Sequence, residues 1–91
     1  MNGSMGCVFL VGAGPGDPEL MTVRARRLLQ KADTVIHDRL IPHEVLTWCR
    51  PDARLIDVGK YPDHHRVKQS EINEMLVEHA RRGEAVVRLK G

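Results

Sequence analysis

The chain has 91 residues, 42% hydrophobic and 29% charged, which fits one small globular domain or part of a larger one and excludes a disordered segment. Its net charge of +2 is too small to imply nucleic acid as a partner. The longest apolar run, CVFLV at residues 7–11, falls far short of the ~20 residues that cross a bilayer, so neither a membrane nor a secretory leader is expected.

Residues 1–6 (MNGSMG) carry no pattern and are expected to form a loose tail. Residues 7–11 read as a strand buried on both faces, ending in the turn GAGPGDP. Ala25, Leu28, Leu29 and Ala32 then follow the i, i+3, i+4, i+7 spacing of a helix. Its start is either Asp17, with Pro18 at the first helical position, or Thr22. The basic residues Arg24, Arg26, Arg27 and Lys31 on that helix read as a solvated face.

Residues 34–37 (TVIH) read as a second strand, and residues 42–49 as a short helix whose inner face is Val45, Leu46 and Cys49. Residues 54–58 (RLIDV) form a third strand stopped by Gly59, followed by a polar loop. Ser70 is a suitable cap for a helix whose stripe is Ile72, Met75, Leu76, His79 and Ala80. Gly83 ends it, and residues 85–89 (AVVRL) form the last strand. The β-α-β-α-β-α-β order predicts an α/β fold: a mostly parallel sheet with helices on both faces. No helix follows the last strand to cover it, so residues 7–91 are expected to be an incomplete N-terminal lobe of a longer protein. Cys7 and Cys49 lack a metal-ligand spacing and read as buried free thiols of a reducing, cytoplasmic compartment.

In a parallel sheet every β-to-α loop lies at the carboxyl ends of the strands, where open α/β sheets bind their ligands. Those loops carry Gly12, Gly14, Pro15, Gly16 and Asp17, then His37, Asp38 and Arg39, then Gly59 and Lys60, then Lys90 and Gly91. The glycine-rich turn fails both the phosphate loop, with no Lys-Ser after Asp17, and the dinucleotide fingerprint, whose third glycine falls at Asp17. Asp38 does stand near the spacing of a ribose-binding acid, which keeps a stand-alone nucleotide-binding module open as an alternative. Against it, Asp17 would set a negative charge where a pyrophosphate should bind, and Pro15 removes a backbone donor. A ligand without phosphates, carrying positive charge, suits the turn better.

The motifs GAGPGDPEL-M-T, D-R-L after the second strand, V-G-K after the third and V-V-R-L-K-G at the end resemble those of the uroporphyrinogen-III C-methyltransferases, tetrapyrrole methylases that use S-adenosyl-L-methionine. The resemblance runs from Val8 to Gly91, and in the family the last motif continues as Gly-Asp-Pro. It implies a two-lobed homodimer with its active site between the lobes, the first lobe alone being inactive. It also implies methyl transfer to C2 and C7 of uroporphyrinogen III, giving precorrin-2 for sirohaem and cobalamin, without a metal. By resemblance Pro15 and Gly91 touch the methyl donor, and Gly12, Gly14 and Gly16 shape the same rim. Asp38 matches the proton acceptor and Lys60 the proton donor, with a substrate anchor as the alternative for Lys60. The substrate carries eight carboxylates, so Arg39, His43, His64 and Arg66 are candidate anchors.

Three departures from the family fall near the substrate: His37 where Tyr is frequent, Tyr61-Pro62-Asp63 for a basic R-x-G, and Lys68 for a Pro before Gln. His37 is read either as a satisfied core histidine or as a catalytic part, and His64-His65 as unsuited to sharing one metal ion. A methylase of the same family acting on another precorrin, or on diphthine, is a further alternative.

Overall fold

The structure, a computed structural model, describes residues 6–59 and 67–91. Strands β1 (Cys7–Gly12), β2 (Thr34–His37), β3 (Arg54–Asp57) and β4 (Ala85–Lys90) form one sheet in the order β1-β4-β2-β3. Every pairing is parallel, so each strand must be joined to the next by a crossover. Helices α1 (Val23–Lys31), α2 (His43–Leu46) and α3 (Gln69–Arg81) supply those crossovers.

Successive strand residues point to opposite faces, and the core divides accordingly. Val35, Val87 and Leu89 pack with Ala25 and Leu29 of α1 and Val45 of α2 on one face. Ile36 and Val86 pack with Ile72 and Leu76 of α3 on the other. Helices therefore cover both faces of the sheet, as the α/β pattern predicts.

Both candidate starts of the first helix are used. The Asp17 carboxylate accepts from the Glu19 N–H at 2.9 Å and caps a single 3-10 turn, Pro18–Leu20. The Thr22 hydroxyl accepts from the Ala25 N–H at 3.0 Å and caps α1 itself. The segment at 42–49 is α-helical only over His43–Leu46 and tightens afterwards into i→i+3 turns, with the N–H of Trp48 bonded to the Val45 carbonyl and that of Cys49 to Leu46. Helix α3 begins at Gln69 rather than after Ser70: the Lys68 N–H donates to the Glu71 side chain at 3.2 Å, half of a capping box.

The burial expected of strand β1 fails. Strand β1 is not buried on both faces, because β4 inserts between β1 and β2 and leaves β1 at the sheet edge. Phe9 and Val11 face the α1 cluster, whereas Leu10, on the opposite face, is 76% exposed. Cys7 is likewise exposed rather than buried. The Gly6 N–H donates to the Ala80 carbonyl at 2.7 Å, so the described chain is already held one residue before β1.

Candidate functional site

The parallel register aligns the strand ends as the topology demands. Gly12 pairs with Lys90, His37 with Leu89 and His37 with Asp57. The Ala13 N–H, just past β1, donates to the Lys90 carbonyl at 2.7 Å, which ties the glycine-rich turn to the end of β4. Asp38, just past β2, is tied to the same strand end: its Oδ2 accepts from the Gly91 N–H at 3.1 Å. The loops after β1 and β2 are thus bonded to adjacent residues, Lys90 and Gly91.

The other oxygen of Asp38 faces Arg88. Arg88 Nη2 lies 2.9 Å from Asp38 Oδ1, and the guanidinium is almost wholly buried while Asp38 is about a third exposed. Arg88 Nη1 donates to the carbonyls of Ile36 and Leu89 at 3.3 and 3.1 Å, which fixes the plane of the fork. Partial burial pushes the Asp38 carboxyl upward, but the Gly91 N–H and the Arg88 guanidinium outweigh it, with Lys90 adding to them, and hold it below its ordinary value. Asp38 is therefore an ionised carboxylate open on one side.

Sequence reasoning passed over Arg88 as an individual residue. The available signal was its place inside an apolar strand run, two residues beyond Val86 on the same face, where a cation requires an acid partner.

The loop after β3 closes on the loop after β2. A Cβ on Gly59 would run into the backbone nitrogen and Cβ of Arg39, so only glycine permits this approach. Asp57 Oδ1 accepts from the Gly59 N–H at 2.8 Å and shapes the turn. Between these loops and the start of α3 opens a cleft of about 730 Å³, lined by Asp38, Arg39, Val58, Gly59, Lys68 and Arg88 among the described residues. Arg39 is exposed there. Lys60, His64, His65 and Arg66 lie outside the described residues, as do Tyr61, Pro62 and Asp63. His37 is buried and its Nδ1–H donates to the Asp38 carbonyl at 3.0 Å, the bonding of a satisfied core histidine. His43 is exposed on α2 and does not line the cleft.

In the first turn Gly14 and Gly16 have φ of 66° and 91°, which side chains other than glycine rarely adopt. A Cβ on Gly12 would meet no heavy atom within 4 Å, so that glycine leaves open space above the rim. Pro15 is exposed and offers no N–H, and the exposed Asp17 adds negative charge. A backbone bared in this way, beside acids and short of donors, suits a cationic ligand such as a sulfonium better than a phosphate. Among the described residues no group of three or more His, Cys, Asp or Glu side chains could hold a metal ion.

The sequence profile of the tetrapyrrole (corrin/porphyrin) methylases matches residues 7–91. The uroporphyrinogen-III C-methyltransferase of Bacillus subtilis is 51% identical over 87 residues, 96% of this chain and 34% of that protein. A siroheme synthase of Nitrosococcus oceani is 59% identical over 86 residues, 94% of this chain and 18% of that protein. A crystal structure of uroporphyrin-III C-methyl transferase from Thermus thermophilus, complexed with S-adenyl homocysteine, superposes with a TM-score of 0.76 at 50% identity, covering 94% of this chain and 35% of that one. The chain thus spans about a third or less of the relatives it matches.

Proposed function

The chain belongs to the tetrapyrrole (corrin/porphyrin) methylases, and we propose that the whole protein transfers methyl groups from S-adenosyl-L-methionine to C2 and C7 of uroporphyrinogen III. The product is precorrin-2, from which sirohaem and cobalamin diverge. The observation that carries this reading is the ionised Asp38 carboxylate, about a third exposed in the cleft and bonded to the backbone at Gly91. The relatives support the substrate by their names, and the Thermus structure supports the donor by the S-adenyl homocysteine in its complex.

In this reading Gly12, Pro15 and Gly91 would hold the positively charged methyl donor at the rim, with Gly14 and Gly16 turning the backbone to make room. When bound it supplies an already activated methyl group, so the protein's contribution is mainly alignment. The new C–C bond takes its electron pair from a pyrrole carbon, the S–CH₃ bond breaks, and its pair stays on sulfur as a neutral thioether. The ring is left cationic and must lose a proton. In this reading Asp38 accepts it, and a cationic ring is acidic enough that a carboxylate held below its usual pKa serves as base.

Arg39 in the cleft binds the substrate's carboxylates in this reading, together with His64 and Arg66. Lys60 acts as proton donor or as a further anchor. An unperturbed lysine, with a pKa of about 10.4, donates poorly at neutral pH, so the donor role requires a lowered value. We further read the whole protein as a cytoplasmic homodimer that needs no metal, membrane or nucleic acid.

A nucleotide-binding module is not favoured, because the matching family profile and the similar proteins are methylases and siroheme synthases. Incubation of the whole protein with S-adenosyl-L-methionine and either uroporphyrinogen III, other precorrins or diphthine tests the substrate. Precorrin-2 formed from uroporphyrinogen III supports the reading, and methylation of another of these in its place overturns it.

A further inference from the structure

The Asp38 carboxylate holds two things at once. Oδ1 binds the buried Arg88 and Oδ2 binds the Gly91 N–H, at the strand end to which the glycine-rich turn is also bonded through Ala13 and Lys90. We propose that Asp38 couples proton acceptance to release of the spent methyl donor: the ionised carboxylate secures the donor-binding backbone at Gly91, and its protonation loosens that backbone. The inference rests on the reading above, in which Asp38 takes the ring proton and Gly91 lies against the donor.

The physics follows from the bonds. A hydrogen bond to an ionised acceptor is roughly twice as strong as a neutral one, so protonation weakens both attachments together. It also leaves Arg88 charged, buried and without its counter-ion, which favours rearrangement at the end of β4. The event comes at a useful moment: methyl transfer has just finished, the proton leaves the ring for Asp38, and the thioether product must depart. Asp38 opens to the cleft, so the proton passes on to water and the clamp closes again.

Linkage makes the proposal measurable. If the ionised form secures the donor loop, bound donor must lower the pKa of Asp38, and protonation must weaken donor binding by the same factor. Affinity is full above the pKa that Asp38 has in the donor-free protein. It is lost as pH falls from there to the lower, donor-bound value. Among the described residues, the charged or titratable groups around the carboxylate are Arg88 and Lys90 of β4, His37 and Arg39 beside it in the chain, Asp57 at the end of β3, and Lys68 just before α3.

The experiment is calorimetric titration of S-adenosylhomocysteine into the whole protein between about pH 2.5 and pH 7, below and above the ordinary Asp value, with circular dichroism recording where the fold is intact, alongside Asp38→Asn. The wild-type Kd should weaken at least ~5-fold toward the acid end, the low end of ordinary coupling between sites. The Asp38→Asn Kd should be weak and independent of pH. A wild-type Kd that is flat across the range overturns the proposal, and so does Asp38→Asn with wild-type affinity at neutral pH. Where acid unfolding cuts the wild-type series short, the Asp38→Asn Kd at neutral pH decides the matter. Absence of binding at every pH overturns the donor reading itself and the coupling with it, a result distinct from a flat but measurable Kd.

Discussion

Arg88 Nη2 and Asp38 Oδ1 stand 2.9 Å apart at the carboxyl end of the sheet, joining β4 to the loop after β2. Replacing Arg88 by Met removes the cation and leaves the carbonyls of Ile36 and Leu89 without that donor. Losing one member of such a pair costs about 3 kcal/mol, read as a lower midpoint in denaturant unfolding of the whole protein. Arg88→Lys keeps the charge but not the planar fork, so it should restore part of that stability and only part of the turnover.

Gly59 and Gly12 make opposite predictions under the same substitution. Gly59→Ala drives a Cβ into the backbone of Arg39, which should destabilise the protein by roughly 1–3 kcal/mol and shift the Asp38 loop enough to cut kcat. Gly12→Ala places its Cβ in open space, so thermal stability should change by no more than ~0.5 kcal/mol. If the donor seats there, its Kd should nonetheless rise. Paired thermal melts and donor titrations check both.

At the opposite, amino end of the sheet, Glu84 accepts from the Thr34 hydroxyl and meets His79 Nδ1 at 3.2 Å. Partial burial pushes the Glu84 carboxyl upward, but Thr34, His79 and Arg54 outweigh it and hold it below its ordinary value. A lowered folded-state pKa contributes stability that is complete above the unfolded value and lost as pH falls through the folded one. Stability measured against pH should therefore fall on the acid side, and Glu84→Gln should flatten that limb. The steepest loss should lie below the ordinary glutamate pKa, not near neutrality.

Much of the fold was legible because local patterns determine it. The stripe Ile72, Met75, Leu76, His79 and Ala80 reads as a helix from spacing alone, and four of the five are buried, with Met75 packed beside them. Strand order was not legible, since nothing in CVFLV says that β4 will insert beside it. Leu10 consequently looked like core and is exposed. Gly12 to Asp17 and Asp38 were legible as rim residues because any parallel sheet brings its β-to-α loops to one edge. Arg88 was not, because its role depends on a partner 50 residues away that only the β2–β4 pairing brings near. The same pairing joins Asp38 to Gly91, a contact between loops that no local spacing announces.

The most direct test of the account is transfer of labelled methyl from S-adenosyl-L-methionine to uroporphyrinogen III by the whole protein, compared with Asp38→Asn. The account predicts label at C2 and C7 with the native protein and a kcat lowered at least ~100-fold in the folded variant, the usual scale of a lost proton acceptor. Undiminished turnover by folded Asp38→Asn would contradict it.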